Sequence, residues 1–375
     1  MRVAVLQRVC PSYRVALFEK LTQFPDLRVK VFIGEDFPRS KVKSAQNLGD
    51  IDYVKLPTKF FHLLGRTFVW HKGLFSALEE FNPDVVIGEG ESHIICFILA
   101  LYYKRVHPKT RVIHWSLGGL PGEIHNRRKI KSFIKFQLQK KADAFVVYSS
   151  YGKKYLESMG HDSQKIFVAT NVCDSGEGLL STSTIGLSKS AIKQMLNLPD
   201  KLTVLYVGAL EANKKIDVLL KSARMLCKDY YNFIILGDGA ERENLENFVA
   251  STNLSNVIMC GRISPKKVRS YYEAADIFVL PGRGGMVISE AMSFALPIVV
   301  GQADGTEYDL VVHRSTGIRL QNADEKEIAE AFEFLRRNAE LARTWGKNGR
   351  QHLINNYTIE KMVENLAKAI GISSQ

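Results

Sequence analysis

The chain has 375 residues, 46% apolar and 24% charged, which is the balance of a soluble globular protein too long for one ordinary core. No short-period repeat and no long disordered tail stands out, and the longest apolar run, Ile94 to Tyr103, is too short to span a bilayer, which needs about 20 residues. The net charge of +12 is uneven: residues 1–180 hold 27 Lys and Arg against 17 Asp and Glu, and residues 181–375 hold 24 against 22, so an anionic partner is expected for the first half.

RVAVLQ opens the chain as a buried strand, with no signal-peptide layout. QRVCPSYR follows and places Pro11, Ser12, Tyr13 and Arg14 at a strand's carboxyl edge. Arg14 there could meet a phosphate, or stand solvated at a helix start. VKVFIG is the next strand, GLFSALEEF a helix, and DVVIGEG a strand ending at Glu89, with Glu91 just beyond. A carboxylate at that edge could orient an acceptor hydroxyl, or simply favour a helix N-terminus. The strand RVIHWS contains His114, and AFVVYSS completes the series. Between these two, NRRKIKSFIKFQLQKK (126–141) sets Ile130, Phe133, Ile134 and Leu138 at helical spacing, with Arg128, Lys131 and Lys135 on another side. That pattern suits a helix lying on an anionic membrane surface, the alternative being a core helix with a solvated basic face.

Asp174 to Thr184 is rich in Gly, Ser and Thr and reads as a linker. A second series follows: LTVLYVG, FIILGDG, VIMCG, IFVLPG and PIVVGQ as strands, with IDVLLKSARML, SYYEAA and ISEAMSF as helices between them. Continuous apolar strands separated by helices form parallel sheets covered on both faces. The expected fold is therefore α/β: two doubly wound Rossmann-like domains facing a cleft. The first spans 1–173, a linker region 174–200, the second domain 201–357, and a C-terminal helix 358–375. Ligands in such sheets bind at the carboxyl ends of the strands.

PGRGGMVISEAM (281–292) follows a strand and opens a helix. Glycine turns and helix amides favour a phosphate. Glu290, one turn on, would repel a phosphate but suits a ribose diol. A nucleotide satisfies both, with a tight turn and a surface glutamate as the plain alternative. VGALEANKK adds Gly208 after a strand and Lys214 at the next helix start, a second phosphate-seeking arrangement. CGRISPKKV sets Ser264 and Pro265 at a helix start, so Arg262 and Ile263 precede it at the edge.

Taken together, VGALEANKKIDVLLKSA, ILGDGAERENL, CGRISPKKVRSYYEAADIFVLP and SEAMSFALPIVVGQADGTEYDLV resemble, in order and spacing from Val204 to Val312, the donor domain of the retaining glycosyltransferases of family four. The first half agrees more loosely, through NPDVVIGEG, RVIHWS with its following glycines, ADAFVVYSS and NVCD. The resemblance implies the GT-B fold and assigns roles. Glu290 matches the second glutamate of the Glu-x7-Glu motif and would bind the donor ribose. Lys214 matches the lysine that neutralises the diphosphate. Gly284, Gly285, Met286 and Val287 fall in the loop whose amides approach sugar and phosphate, and Ile263 matches a position whose backbone meets the base. Three departures accompany these matches. Gly282 stands where the first glutamate belongs. Ala209, next to Gly208, stands where an arginine is usual, with Arg283 of the glycine turn as a candidate substitute. His114 is the nearest match to a substrate-facing histidine, although Leu117 holds the aligned place.

The implied activity is transfer of a sugar from a nucleotide-diphosphate donor to a hydroxyl of a glycan or lipid-linked acceptor, with retention, in surface-polysaccharide synthesis. Tyr13, Arg14 and Glu89 are acceptor or phosphate candidates. No cofactor and no metal are expected, since the five cysteines form no CxxC or Cys/His cluster. The anionic partner is expected to be a membrane surface met from the cytoplasmic side, not nucleic acid, because the basic residues lack an interleaved aromatic platform. A sugar-nucleotide epimerase of the same fold, a basic nucleic-acid-binding protein and a degenerate sensor are the rival readings.

Overall fold

The computed structural model describes residues 1–37, 42–63, 66–90, 94–122, 136–173 and 187–372. The chain divides into two compact units, Met1–Thr170 with Ile359–Gln375, and Asn171–Thr358. Among the described residues no helix is long and apolar enough to cross a membrane.

Unit 1 holds β1 (Arg2–Leu6), β2 (Arg28–Ile33), β3 (Tyr53–Lys55), β4 (Thr58–Leu63), β5 (Arg66–His71), β6 (Val85–Glu89), β7 (Arg111–Ser116), β8 (Ala144–Val147) and β9 (Ile166–Val168). Seven of them form one sheet, in the order β3-β2-β1-β6-β7-β8-β9, with every neighbouring pair parallel. Strand residues alternate between faces. Val3, Val5, Val85 and Ile87 enter one apolar core, while Ala4, Leu6 and Val86 enter another on the opposite face. That two-sided burial is why these strands read as unbroken apolar runs. The antiparallel hairpin β4–β5 stands outside the sheet.

The last helix, Ile359–Ile370, belongs to unit 1 and not to a segment of its own. Its residues Ile359, Met362, Val363, Leu366, Ala369 and Ile370 enter the first of those cores. Arg111, at the start of β7, donates to the carbonyls of Ile370 (2.5 Å) and Ala369 (3.2 Å), closing the helix end.

Unit 2 holds β10 (Leu202–Val207), β11 (Tyr231–Leu236), β12 (Val257–Gly261), β13 (Ile277–Leu280), β14 (Ile298–Val300) and β15 (Gly317–Arg319). All are parallel, in the order β12-β11-β10-β13-β14-β15. The segment expected as a linker is partly structured. Helix Lys189–Met195 packs Ile192 into the core of unit 2, and its Lys193 bonds the Asp276 carboxylate at 3.0 Å. Residues 174–186 of that segment lie outside the described residues.

Candidate active site

In a doubly wound sheet the loops part to opposite faces where the strand order reverses, and ligands bind beyond the carboxyl ends there. In unit 2 that point lies between β10 and β13. The loops leaving it are the two glycine turns of the sequence, one from Gly208 to Lys214 and one from Pro281 to Gly285. They are joined directly. Arg283 N donates to Asn213 O at 2.9 Å, and Lys214 Nζ donates to Arg283 O at 2.5 Å. Gly282 lies against the other loop's backbone, so that a Cβ there would stand 2.4 Å from Asn213 O. A Cβ on Gly285 would meet the Asp304 carboxylate at 2.4 Å and Thr306 Oγ1 at 2.6 Å. Side chains at these two glycines would therefore collide with the protein itself. Gly208 behaves likewise, since a Cβ there would stand 2.7 Å from Tyr206 Oη.

What remains for a ligand is the backbone and the charges. Helix Met286–Ser293 starts at Gly285 with no side-chain cap, and while the Ile288 amide donates to Gly285 O at 2.9 Å, those of Met286 and Val287 make no such bond among the described residues. Lys214 is held at that helix start by its bond to Arg283 O, while the Arg283 side chain is exposed. From the neighbouring strand end, Asp304 accepts from the amide and hydroxyl of Thr306 at 3.2 and 2.6 Å. Burial raises its carboxyl pKa, against the pull of Thr306 and of the Lys214 charge. Glu307 braces the same loop by accepting from Ala303 N (3.1 Å) and Gly305 N (2.7 Å). Burial outweighs those two amides and pushes its carboxyl up to about 7.

Glu290 is partly buried on the same helix. Tyr272 Oη donates to its Oε2 at 3.1 Å, from helix Pro265–Ala274, and the Tyr272 ring stacks on Phe294 at 5.0 Å. Burial raises the Glu290 pKa and the tyrosine bond opposes it. One carboxylate oxygen is thus fixed by the protein, and the other is left to accept from a ligand. Behind the helix, Cys173 N donates to Ser289 Oγ at 3.1 Å, tying the chain's entry into unit 2 to the helix that carries Glu290. Ile263 lies beyond the carboxyl end of β12, two strands from β10, and packs on the core of the unit. The structure therefore brings Lys214, Arg283, Gly285, Met286 and Val287 together, with Glu290 one turn on, and places Ile263 apart.

Sequence reasoning missed Asp304, Asn213 and Tyr272. Asp304 follows the strand end PIVV in ADGTE, and that position at a carboxyl edge was the available signal. Asn213 and Tyr272 offer none, being one loop polar residue and one tyrosine of a helix.

In unit 1 the strand order reverses between β1 and β6. Arg8 N, after β1, donates to Glu89 Oε2 at 3.4 Å, and the charges of Arg14 and Glu89 both act on the Tyr13 hydroxyl, whose pKa burial raises. Tyr13, Arg14 and Glu89 are thus neighbours. Arg14 is 4% exposed, its Nη2 donates to Tyr148 Oη at 2.7 Å, and its guanidinium lies 4.3 Å from the Trp115 ring centre. His114 is elsewhere in character. It sits inside β7 at 2% exposure, edge-on to Phe97 at 4.6 Å, with its ring against the Cα of Gly90. The structure places it in the core and not at an open edge. Glu91, Arg128, Lys131 and Lys135 lie outside the described residues.

Comparison with known proteins agrees with this geometry. The model of the glycosyl transferases group 1 matches residues 188–352, and that of Glycosyltransferase Family 4 matches residues 20–176. The chain belongs to the glycosyltransferases that pair these two domains. The capsular polysaccharide biosynthesis glycosyltransferase CapM of Staphylococcus aureus is 30% identical over 176 residues, 45% of this chain and 46% of that one. For several curated relatives, CapM among them, the chain spans about half of their length. A longer match, 25% identical over 334 residues, covers 88% of this glycosyltransferase and 83% of the GalNAc-α-(1→4)-GalNAc-α-(1→3)-diNAcBac-PP-undecaprenol α-1,4-N-acetyl-D-galactosaminyltransferase of Campylobacter jejuni. The Anabaena protein HepE, solved in complex with UDP, superposes with a TM-score of 0.77 at 15% identity over 99% of this chain and 100% of that one. The fold of this glycosyltransferase is accordingly GT-B.

Proposed function

We propose that this glycosyltransferase moves a sugar from a nucleoside-diphosphate donor to a hydroxyl of a glycan or lipid-linked acceptor, retaining the anomeric configuration. The observation that carries the reading is the meeting, where the unit 2 strand order reverses, of an uncapped helix start with Lys214, one turn from Glu290. The amides and Lys214 would hold the diphosphate, with Arg283 reaching it from the same turn, and Glu290 the ribose. UDP is the first candidate, because HepE was solved with it. The lipid-linked acceptor draws on the name of the Campylobacter jejuni relative, and a place in surface-polysaccharide synthesis on that of CapM.

In the transfer, the acceptor oxygen bonds the anomeric carbon as the bond from that carbon to the diphosphate oxygen breaks. The electron pair leaves with the diphosphate, and the acceptor proton passes to a departing phosphate oxygen. Lys214 and the helix amides stabilise the charge that develops on the diphosphate. This route uses no protein nucleophile and no metal ion. Tyr13, Arg14 and Glu89 of unit 1 are assigned to the acceptor side, and association with the inner face of the membrane would bring a lipid-linked acceptor within reach.

Calorimetric titration with UDP, GDP and ADP, followed by mass spectrometry of an undecaprenyl-diphosphate-linked saccharide incubated with the matching sugar nucleotide, tests the proposal. One nucleoside diphosphate should bind and Glu290→Ala should weaken it. Failure of all three to bind would overturn the donor site. An isomerised sugar nucleotide formed without acceptor would replace transfer by epimerisation.

A further inference from the structure

The hairpin β4–β5 plays no part in the site above, and its two faces differ. The register pairs Lys59 with Trp70 and Phe61 with Phe68, so these four side chains share one face. The opposite face is covered over most of its length: Val69 and His71 are buried and Phe60 meets Phe37 at 5.0 Å, with His62 and Thr67 exposed near the tip. The first face is open. Phe61 is 44% exposed and Trp70 40% exposed, their rings stacked at 6.3 Å, with Lys59 exposed beside them.

Helix Ile94–Val106 packs against β5 and repeats the pattern. It buries Cys96, Phe97, Ala100 and Tyr103, yet Ile98, Tyr102 and Val106, at i, i+4 and i+8, form a second apolar stripe exposed to solvent. A helix apolar on both sides has an unfilled contact.

Charge indicates what fills it. No Asp or Glu occurs in residues 53–78 or 92–122, the two stretches that build these faces. Lys55, Lys59, Lys72, Arg105 and Lys109 are all exposed along them. Exposed aromatic rings flanked by lysine and arginine, with carboxylates only at the margins, where Glu35 accepts from Thr58 N, Glu79 meets His107 and Asp143 meets Lys104, match the interface of an anionic bilayer, where rings sit at headgroup level and basic side chains meet lipid phosphates. A second copy of the chain fits less well, since two such faces would bring lysines against lysines.

We propose that the open face of hairpin β4–β5, with the outer stripe of helix Ile94–Val106, is the surface by which unit 1 docks onto an anionic lipid bilayer. The purpose of this docking rests on the membrane-linked acceptor proposed above, but its geometry does not. It locates the contact outside the basic segment 126–141.

The chain carries its own reporter. Of its three tryptophans, Trp115 and Trp345 are buried and Trp70 is exposed. The full-length protein is mixed with phosphatidylglycerol-rich vesicles and with pure phosphatidylcholine vesicles. With the anionic vesicles its emission should shift to the blue and be quenched by dibrominated lipid, and the protein should sediment with them. Trp70→Phe should still sediment but lose the shift. The double variant Phe61→Ser/Trp70→Ser should partition at least tenfold more weakly while binding its nucleoside diphosphate as the parent does. If the parent sediments without quenching of Trp70, or the double variant sediments equally, this surface is wrong and the membrane reading survives. If the parent ignores anionic vesicles, both fall, whereas the nucleotide titration decides the donor site separately. A dimer in light scattering that Phe61→Ser dissociates, with no vesicle binding, would make the face a self-interface and overturn the proposal. Because Trp70 quenching is read on the unmutated chain, a variant that failed to fold would not rescue the idea.

Discussion

Gly282→Ala probes the joint between the two glycine loops. The residue's φ is not in the left-handed region, so alanine meets no backbone strain and the substitution tests contact alone. The added Cβ would stand 2.4 Å from Asn213 O and 2.7 Å from the carbonyl carbon of Lys214. Ordinary contact begins near 3.5 Å, so the loops must part by about 1 Å, and neither atom belongs to a flexible side chain that could swing away. Overpacking of this kind costs about 1–3 kcal/mol. For a unit the size of 171–358, each kcal/mol lowers Tm by about 2–4 °C, so a fall of roughly 2–12 °C is expected. The displaced loop carries Lys214, and a misplacement of about 1 Å can cost on the order of a hundredfold in catalytic efficiency. Gly282→Glu, which restores the residue usual in the family, should be worse still. Differential scanning calorimetry with UDP titration measures both effects. A Gly282→Ala protein with parental Tm and parental UDP affinity would refute the locked joint, and with it the explanation of why glycine stands at 282.

Lys214→Ala and Arg283→Ala should each lower kcat/KM at least tenfold, about 1.4 kcal/mol, and Ala209→Arg should partly restore activity to Arg283→Ala but not to Glu290→Ala. Full activity in Arg283→Ala would mean that the turn serves only through its backbone. Glu290→Ala should weaken nucleoside-diphosphate binding by about 1.5–3 kcal/mol, and Tyr272→Phe, which frees the carboxylate from its anchor, by about 0.5–1.5 kcal/mol; calorimetry showing no change in the first would remove the ribose role. Glu307 supplies a pH test. Its carboxyl rises from 4.5 to about 7 on folding, so its contribution to stability is complete below about pH 4.5 and is lost as pH climbs to about 7. The Tm difference between Glu307→Gln and the parent should therefore move in the variant's favour across that window, and a constant difference would show that the carboxyl titrates normally.

Much of this protein is written in local sequence pattern. Runs such as VVIG and AFVV, apolar at every position, require a sheet covered on both faces, and the helical segments between them require parallel strands. The PGRGG turn and Lys214 were legible for the same reason, because a strand end and a helix start are adjacent in the chain. The tertiary structure decided what lies far apart in sequence. Nothing in VGALEANKK or PGRGGMVISE says that β10 and β13 are neighbours, and only that pairing sets Gly282 on the backbone of Asn213. Gly282 and Gly285 look alike to any rule about flexible turns, yet they are glycine because another loop occupies the room of their side chains. His114 in RVIHWS reads the same whether its ring meets a ligand or Phe97, and packing put it in the core. The final helix has an apolar face that would suit either unit, and the carbonyls it offers to Arg111 place it in the first. The hairpin β4–β5 left no mark at the period expected of either sheet, because one of its faces is open and aromatic. Periodicity reports which residues are buried; which surface buries them is fixed only when segments distant in the chain meet.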